Sequence, residues 1–107
     1  MVDPDIISVK MAELQKMRVA LILTISETTS KLLSRRQRVS GKEIEVMCAE
    51  RDLAEGGDTT ANQQRLEMLW VEDSDLKVAL AETEEDVLKL EELMTKVNAD
   101  IAALCQS

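Results

Sequence analysis

Few residues in this chain could do chemistry. The densest set of reactive groups is the carboxylate run Glu82, Glu84, Glu85, Asp86, Glu91 and Glu92. Paired carboxylates can act as general acid and base or hold a hard cation. Here no calcium-loop spacing occurs, and no nucleophile or glycine-rich phosphate cradle accompanies them. The sequence contains no histidine, so the commonest general base, metal ligand and near-neutral proton switch is missing. The carboxylates read as a solvated helix face, and the expectation is a non-enzyme with no catalytic residue, no metal site and no cofactor.

Two further sets are weighed in the same way. Cys48 and Cys105 stand far apart without C-x-x-C spacing, which suggests neither a zinc site nor a disulfide framework. They read as buried thiols in a reducing, cytoplasmic compartment. The basic run Lys31, Arg35, Arg36, Arg38 and Lys42 has no aromatic platform beside it, so pairing with acids of the same protein is a better account than nucleic acid. Arg-Arg-Gln-Arg-Val-Ser40 resembles a basophilic kinase site, but a capping serine accounts for it more simply. The formal charge of −8 is uneven: residues 1–42 carry a net +4 and residues 43–107 a net −12. Opposite charge in the two halves suits halves that lie against each other, and an acidic chain is a poor ligand for phosphate backbones.

Composition dictates what can position these groups. Hydrophobic residues make up 45% of 107, yet Trp70 is the only aromatic, and there are 3 glycines and 1 proline. Aliphatic packing with so few turn residues predicts long helices rather than a sheet. The opening acids of Met1–Lys10 differ from the positive charge of a secretory signal. The most apolar stretch, Val19 to Ile25, falls far short of the roughly 20 residues that span a bilayer, so no membrane insertion is expected.

Asp3-Pro4-Asp5 signals a helix start, with Asp as N-cap and Pro at the first helical position. An apolar stripe follows at Ile7, Met11, Leu14, Leu21, Ile25, Leu32 and Val39, interrupted by Arg18, Thr28 and Arg35. This predicts an amphipathic helix over about 4–39. Val19, Ile22 and Leu23 widen its apolar face beyond what one partner helix covers. Ser40-Gly41-Lys42-Glu43 matches a capping box and predicts a break or restart near residue 40, and residues of about 41–55 either form a short third helix or continue the first. Gly56-Gly57 marks a turn at 56–58, and Asp58 or Thr60 can cap the next helix. That helix, about 59–105, shows the clearest pattern. One core position falls on Leu66, Asp73, Leu80, Val87, Met94 and Ile101, and the other on Leu69, Leu76, Thr83, Leu90, Val97 and Leu104. At 1.5 Å per residue it runs about 70 Å and needs a partner to be stable.

Folding at the glycine pair gives an antiparallel hairpin in which residue i lies opposite roughly 113 minus i. The basic run then faces Glu72, Asp73, Asp75 and Glu82, with Asp73 near Arg35, Arg36 or Arg38. Polar residues at core positions, Asp73 and Thr83 among them, are either tolerated near a surface or fix register, orientation or partner. Trp70 flanks the seam, and most of the methionines read as gap-fillers.

A short acidic chain of two long helices with surplus apolar surface is similar to the small helical chaperones and co-chaperones of bacterial type III secretion systems. The resemblance implies a cytosolic hairpin stabilised by dimerising or by capturing amphipathic helices of a secreted subunit. The Trp-x-Gly turn of the secreted hairpin proteins is absent, since Val71 and Glu72 follow Trp70. The fold expected is all-α, an antiparallel helical hairpin or coiled coil that associates into a helical bundle as a homo- or hetero-oligomer. The expected function is binding of a protein partner through helix packing on Leu76, Leu80, Val87, Leu90, Met94, Val97 and Ile101 of the last helix, with Leu21 and Ile25 of the first. The alternative is a structural coiled-coil subunit that self-assembles.

Overall fold

A computed structural model describes residues 3–56 and 59–106, and all but four of these are helical. The first helix, α1, is Pro4–Ala54, and the second, α2, is Thr59–Cys105. They pack as a helical hairpin, and the described residues contain no strand. The start of α1 follows its sequence signal: the Asp3 carboxylate accepts the Asp5 amide at 2.9 Å, and the Asp3 carbonyl accepts the amides of Ile6 and Ile7. Proline costs nothing at the first helical position, where its missing N–H would have no helical acceptor. At the other end the Glu55 amide reaches the Arg51 carbonyl at 2.9 Å, and Gly56 takes a φ of +80° that only glycine adopts without strain. Gly57 and Asp58, expected in the turn, lie outside the described residues. Thr60 falls inside α2 rather than ahead of it, so it is not the cap.

The expected break near residue 40 is not present, and no separate helix covers 41–55. Helix α1 runs through Ser40 and Gly41. The reason lies in the heptad phase. Assigning Met11, Ile25, Leu32 and Val39 to the a position and Ile7, Leu14, Leu21, Thr28 and Arg35 to d, the same 3-4 spacing continues to Lys42, Val46, Ala49 and Leu53. All four are buried or half-buried, while Ile44 and Met47 face solvent. A local capping signal yields one or two hydrogen bonds; an unbroken apolar stripe is worth several buried side chains. Gly41 is therefore a glycine in a helix interior, and a Cβ there meets nothing within 4 Å. Gly41→Ala should stabilise the fold by about 0.5–1 kcal/mol, read as a higher urea midpoint at unchanged slope.

The helices form two compact units, one of residues up to 30 with those from 85 onward, the other of residues 31–84. In the 31–84 unit the best-sealed core is Ala49, Leu66 and Leu69 with Val46 and Leu53 against it. Ala49 is 1% exposed. In the other unit Val87 and Val97 are buried, and Ile7, Met11, Leu14, Leu21, Ile25, Leu90, Met94, Ile101 and Leu104 are half-buried. Every one of these occupies an a or d position. Arg18, an a residue, is exposed: its long side chain leaves the seam for water.

Within the 31–84 unit, side chains that meet across the two helices have residue numbers totalling 114 to 120, against the expected 113. Helical side chains lean toward the N-terminus of their own helix. In an antiparallel pair the lean of each partner raises the total, so side chains meet up to a turn beyond the backbone register.

Candidate partner-docking surface

Within each unit, the residues expected to bind a partner line the seam between the chain's own helices. Leu76 and Leu80 of the 31–84 unit are half-buried. In the other unit Leu21, Ile25, Leu90, Met94 and Ile101 are half-buried, and Val87 and Val97 are buried. All nine lie at a or d positions and close the intramolecular seam. What remains for a partner lies on the outer faces.

The polar seam positions show how that seam is fixed. Thr83 is 1% exposed. Its hydroxyl donates to the Ala79 carbonyl one turn back at 2.9 Å and accepts a hydrogen bond from the Arg35 guanidinium, which also reaches the Ala79 carbonyl at 3.2 Å. A cation, a hydroxyl and a carbonyl thus satisfy one another in the seam, and slipping either helix would leave a buried donor without an acceptor. In the unit of residues up to 30 with those from 85 onward, Thr28 sits at d and turns its hydroxyl onto its own helix, donating to the Thr24 carbonyl at 2.7 Å.

The expected pairing of Asp73 with Arg35, Arg36 or Arg38 is not found. Asp73 pairs with Lys77, one turn along its own helix, at 2.9 Å, and Lys77 also meets Glu43 at 3.5 Å. Arg35 is engaged by Thr83 and Ala79, and Arg36 lies 3.9 Å from Glu84. The basic run does meet the acidic helix at one of the expected acids: Lys42, at a d position, runs to Glu72 at 2.7 Å and to Glu45 on its own helix at 3.1 Å. Flanking residues pair as an antiparallel coil requires, e with e in Arg36–Glu84 and Lys77–Glu43, and g with g in Arg65–Asp52. Such exposed pairs contribute little stability each.

Hydrogen bonds from Glu72 and Glu45 hold the Lys42 ammonium above the ordinary lysine pKa, and Asp73 does the same for Lys77. A raised folded-state pKa means that this stabilisation is complete below the unfolded lysine value and is lost as pH climbs through the folded one. It is constant at neutral pH.

The outer faces are unusually apolar. Among the described residues Val9, Val19, Ile22, Leu23, Leu33, Ile44 and Met47 of α1 and Met68, Trp70, Val71, Val78, Leu88 and Leu93 of α2 are all about half exposed or more. Scattered exposed side chains are ordinary, but a contiguous group marks an interaction surface. The group with the most definite electrostatics surrounds Leu88, which is 59% exposed. On a helix its neighbours are the residues three and four away on either side, and here all four are acids: Glu84, Glu85, Glu91 and Glu92. Among the described residues, Glu84 and Glu85 have ion-pair partners, Arg36 and Lys89. Leu88 does not stand out in the heptad reading because it is off the seam; its signal is the ring of acids.

Cys48 is half-buried rather than fully buried, and Cys105 is exposed, against the expectation of two buried thiols. Among the described residues no helix is long and apolar enough to cross a membrane, and no group of three or more His, Cys, Asp or Glu side chains could hold a metal ion. Comparison of the chain with family models, with curated proteins and with solved structures gives no match.

Proposed function

We propose that this protein is a non-catalytic helical binding module, a cytosolic chaperone or adaptor that docks the amphipathic helices of a partner protein such as a secretion-system subunit. The observation that carries the reading is that the seam is filled by the chain's own helices while Leu88, inside its ring of Glu84, Glu85, Glu91 and Glu92, stays in water. An apolar contact framed by four carboxylates fits a helix with an apolar ridge and Lys or Arg at its flanks: the ridge supplies area, and the charges steer the approach and set orientation.

Changing Glu84, Glu85, Glu91 and Glu92 to Lys tests this. Glu85 and Glu92 lie opposite the seam and Glu84 and Glu91 flank it, but all four side chains are exposed, so helicity by circular dichroism should be unchanged. Affinity for an amphipathic helical peptide with Lys flanks should fall at least tenfold at low salt, measured by fluorescence anisotropy, and a Glu-flanked twin of that peptide should gain what the first loses. Undiminished binding of the Lys-flanked peptide would remove the acidic face from the account. A structural subunit that self-assembles is the second reading, favoured by the long apolar outer face of α1.

A further inference from the structure

We infer that the outer face of α1 is a docking surface for a second copy of this chain, and that it seats on the Leu88 face of that copy's α2. The inference rests on the Leu88 face being a docking surface, as proposed above, and specifies one occupant for it.

In α1 the two lines of residues facing away from α2 carry Val9, Ala12, Lys16, Val19, Leu23, Ser26 and Ser30, spaced by threes and fours like a second heptad seam. The helix presents these to solvent throughout, with Val19 59% and Leu23 60% exposed. Over these seven positions the only charge is Lys16. The equivalent lines in α2 carry Glu85, Leu88, Glu92, Thr95, Ala99 and Ala102, and their only charges are Glu85 and Glu92. Both stripes belong to the same compact unit. Each is apolar or small with charge of one sign, and the signs are opposite.

Neither stripe suits a copy of itself. Two α1 faces would bring Lys16 toward Lys16, and two α2 faces would set four carboxylates together. Laid parallel with Lys16 between Glu85 and Glu92, Val19 falls between Leu88 and Thr95, and Leu23 falls against the small Thr95 and Ala99. Small residues opposite large ones allow two helices to approach closely and interlock.

The contact is heterologous, since α1 of one copy touches α2 of the next. The outer faces of the two helices in one hairpin point in opposite directions, so the contact does not close into a dimer and leaves both faces available for further copies. A partner helix that takes the Leu88 face displaces the neighbouring copy.

The test uses the full chain and two variants, Lys16→Glu and the double variant Glu85→Lys/Glu92→Lys, followed by light scattering with size exclusion across a concentration series. The wild type should exceed the 12.0 kDa monomer mass by at least twofold and grow with concentration. Each variant alone should run as a monomer, because its two faces now carry charge of one sign. An equimolar mixture of the two should regain the wild-type mass, because every α1 face then meets an α2 face of opposite charge. Circular dichroism confirms that both variants are folded.

A wild type that stays monomeric at all concentrations, or a Lys16→Glu chain that associates as well as the wild type, would overturn the inference. Unfolding is no escape, since the mixture must recover mass from two separately prepared chains. Failure of this experiment with intact binding of the Lys-flanked peptide would leave the proposed function standing; loss of peptide binding with self-association retained would do the reverse.

Discussion

Leu66→Ala is expected to lower the unfolding free energy by about 2–5 kcal/mol, the range for deleting a large buried aliphatic side chain. Leu66 is 3% exposed and belongs to the sealed core with Ala49 and Leu69. That core lies next to the Gly56 turn, where the helices are connected. Ala49 opposite has no bulk with which to fill the space, so the transfer and cavity terms both apply. The size of the effect depends on place rather than residue type. Ile44→Ala removes a side chain as large from the same unit, but Ile44 is 61% exposed and the change should stay within about 0.5 kcal/mol. Urea unfolding of the two variants side by side checks this, and equal losses would mean that the outer face of α1 is covered.

The second large effect has the opposite sign. Asp73→Leu should stabilise the fold by about 1–4 kcal/mol, the range for replacing a buried ionic group by packed hydrocarbon. Asp73 stands at an a position between Leu66 and Leu80, and its Oδ1 is buried with no hydrogen-bond partner among the described residues. The ion pair lost is that with Lys77, whose side chain is about half exposed, so water screens the pair and its contribution is small. Leucine restores the apolar repeat at that position. A loss of stability would mean that Asp73 has a partner that holds the register, a role the structure gives to Arg35 and Thr83.

How much of this was legible in the sequence depended on which signal was local. The heptads of α2 fix its seam residue by residue, because ten of twelve positions are apolar and nothing competes. The seam of α1 is as regular, yet Lys42 occupies one of its positions and Ser40-Gly41-Lys42-Glu43 imitates a helix start. The local signal therefore suggested a break that the longer-range phase overrides. Asp73 could not be assigned correctly from register alone, since Lys77 on its own helix is nearer than any arginine across the seam. Apolar periodicity detects buried faces first and so points to the seam; the outer positions, Leu88 among them, emerge only once the seam is known to be occupied.

The central claim is that helices dock on the outer faces while the seam stays shut, and methyl nuclear magnetic resonance tests it most directly. On titration with the Lys-flanked amphipathic peptide, the methyl signals of exposed Leu88 should shift in a saturable way, while those of buried Val87 and Val97 should stay in place. Shifts of Val87 and Val97 that track peptide binding, with Leu88 unmoved, would contradict it: the chain would then be opening its seam to admit the partner.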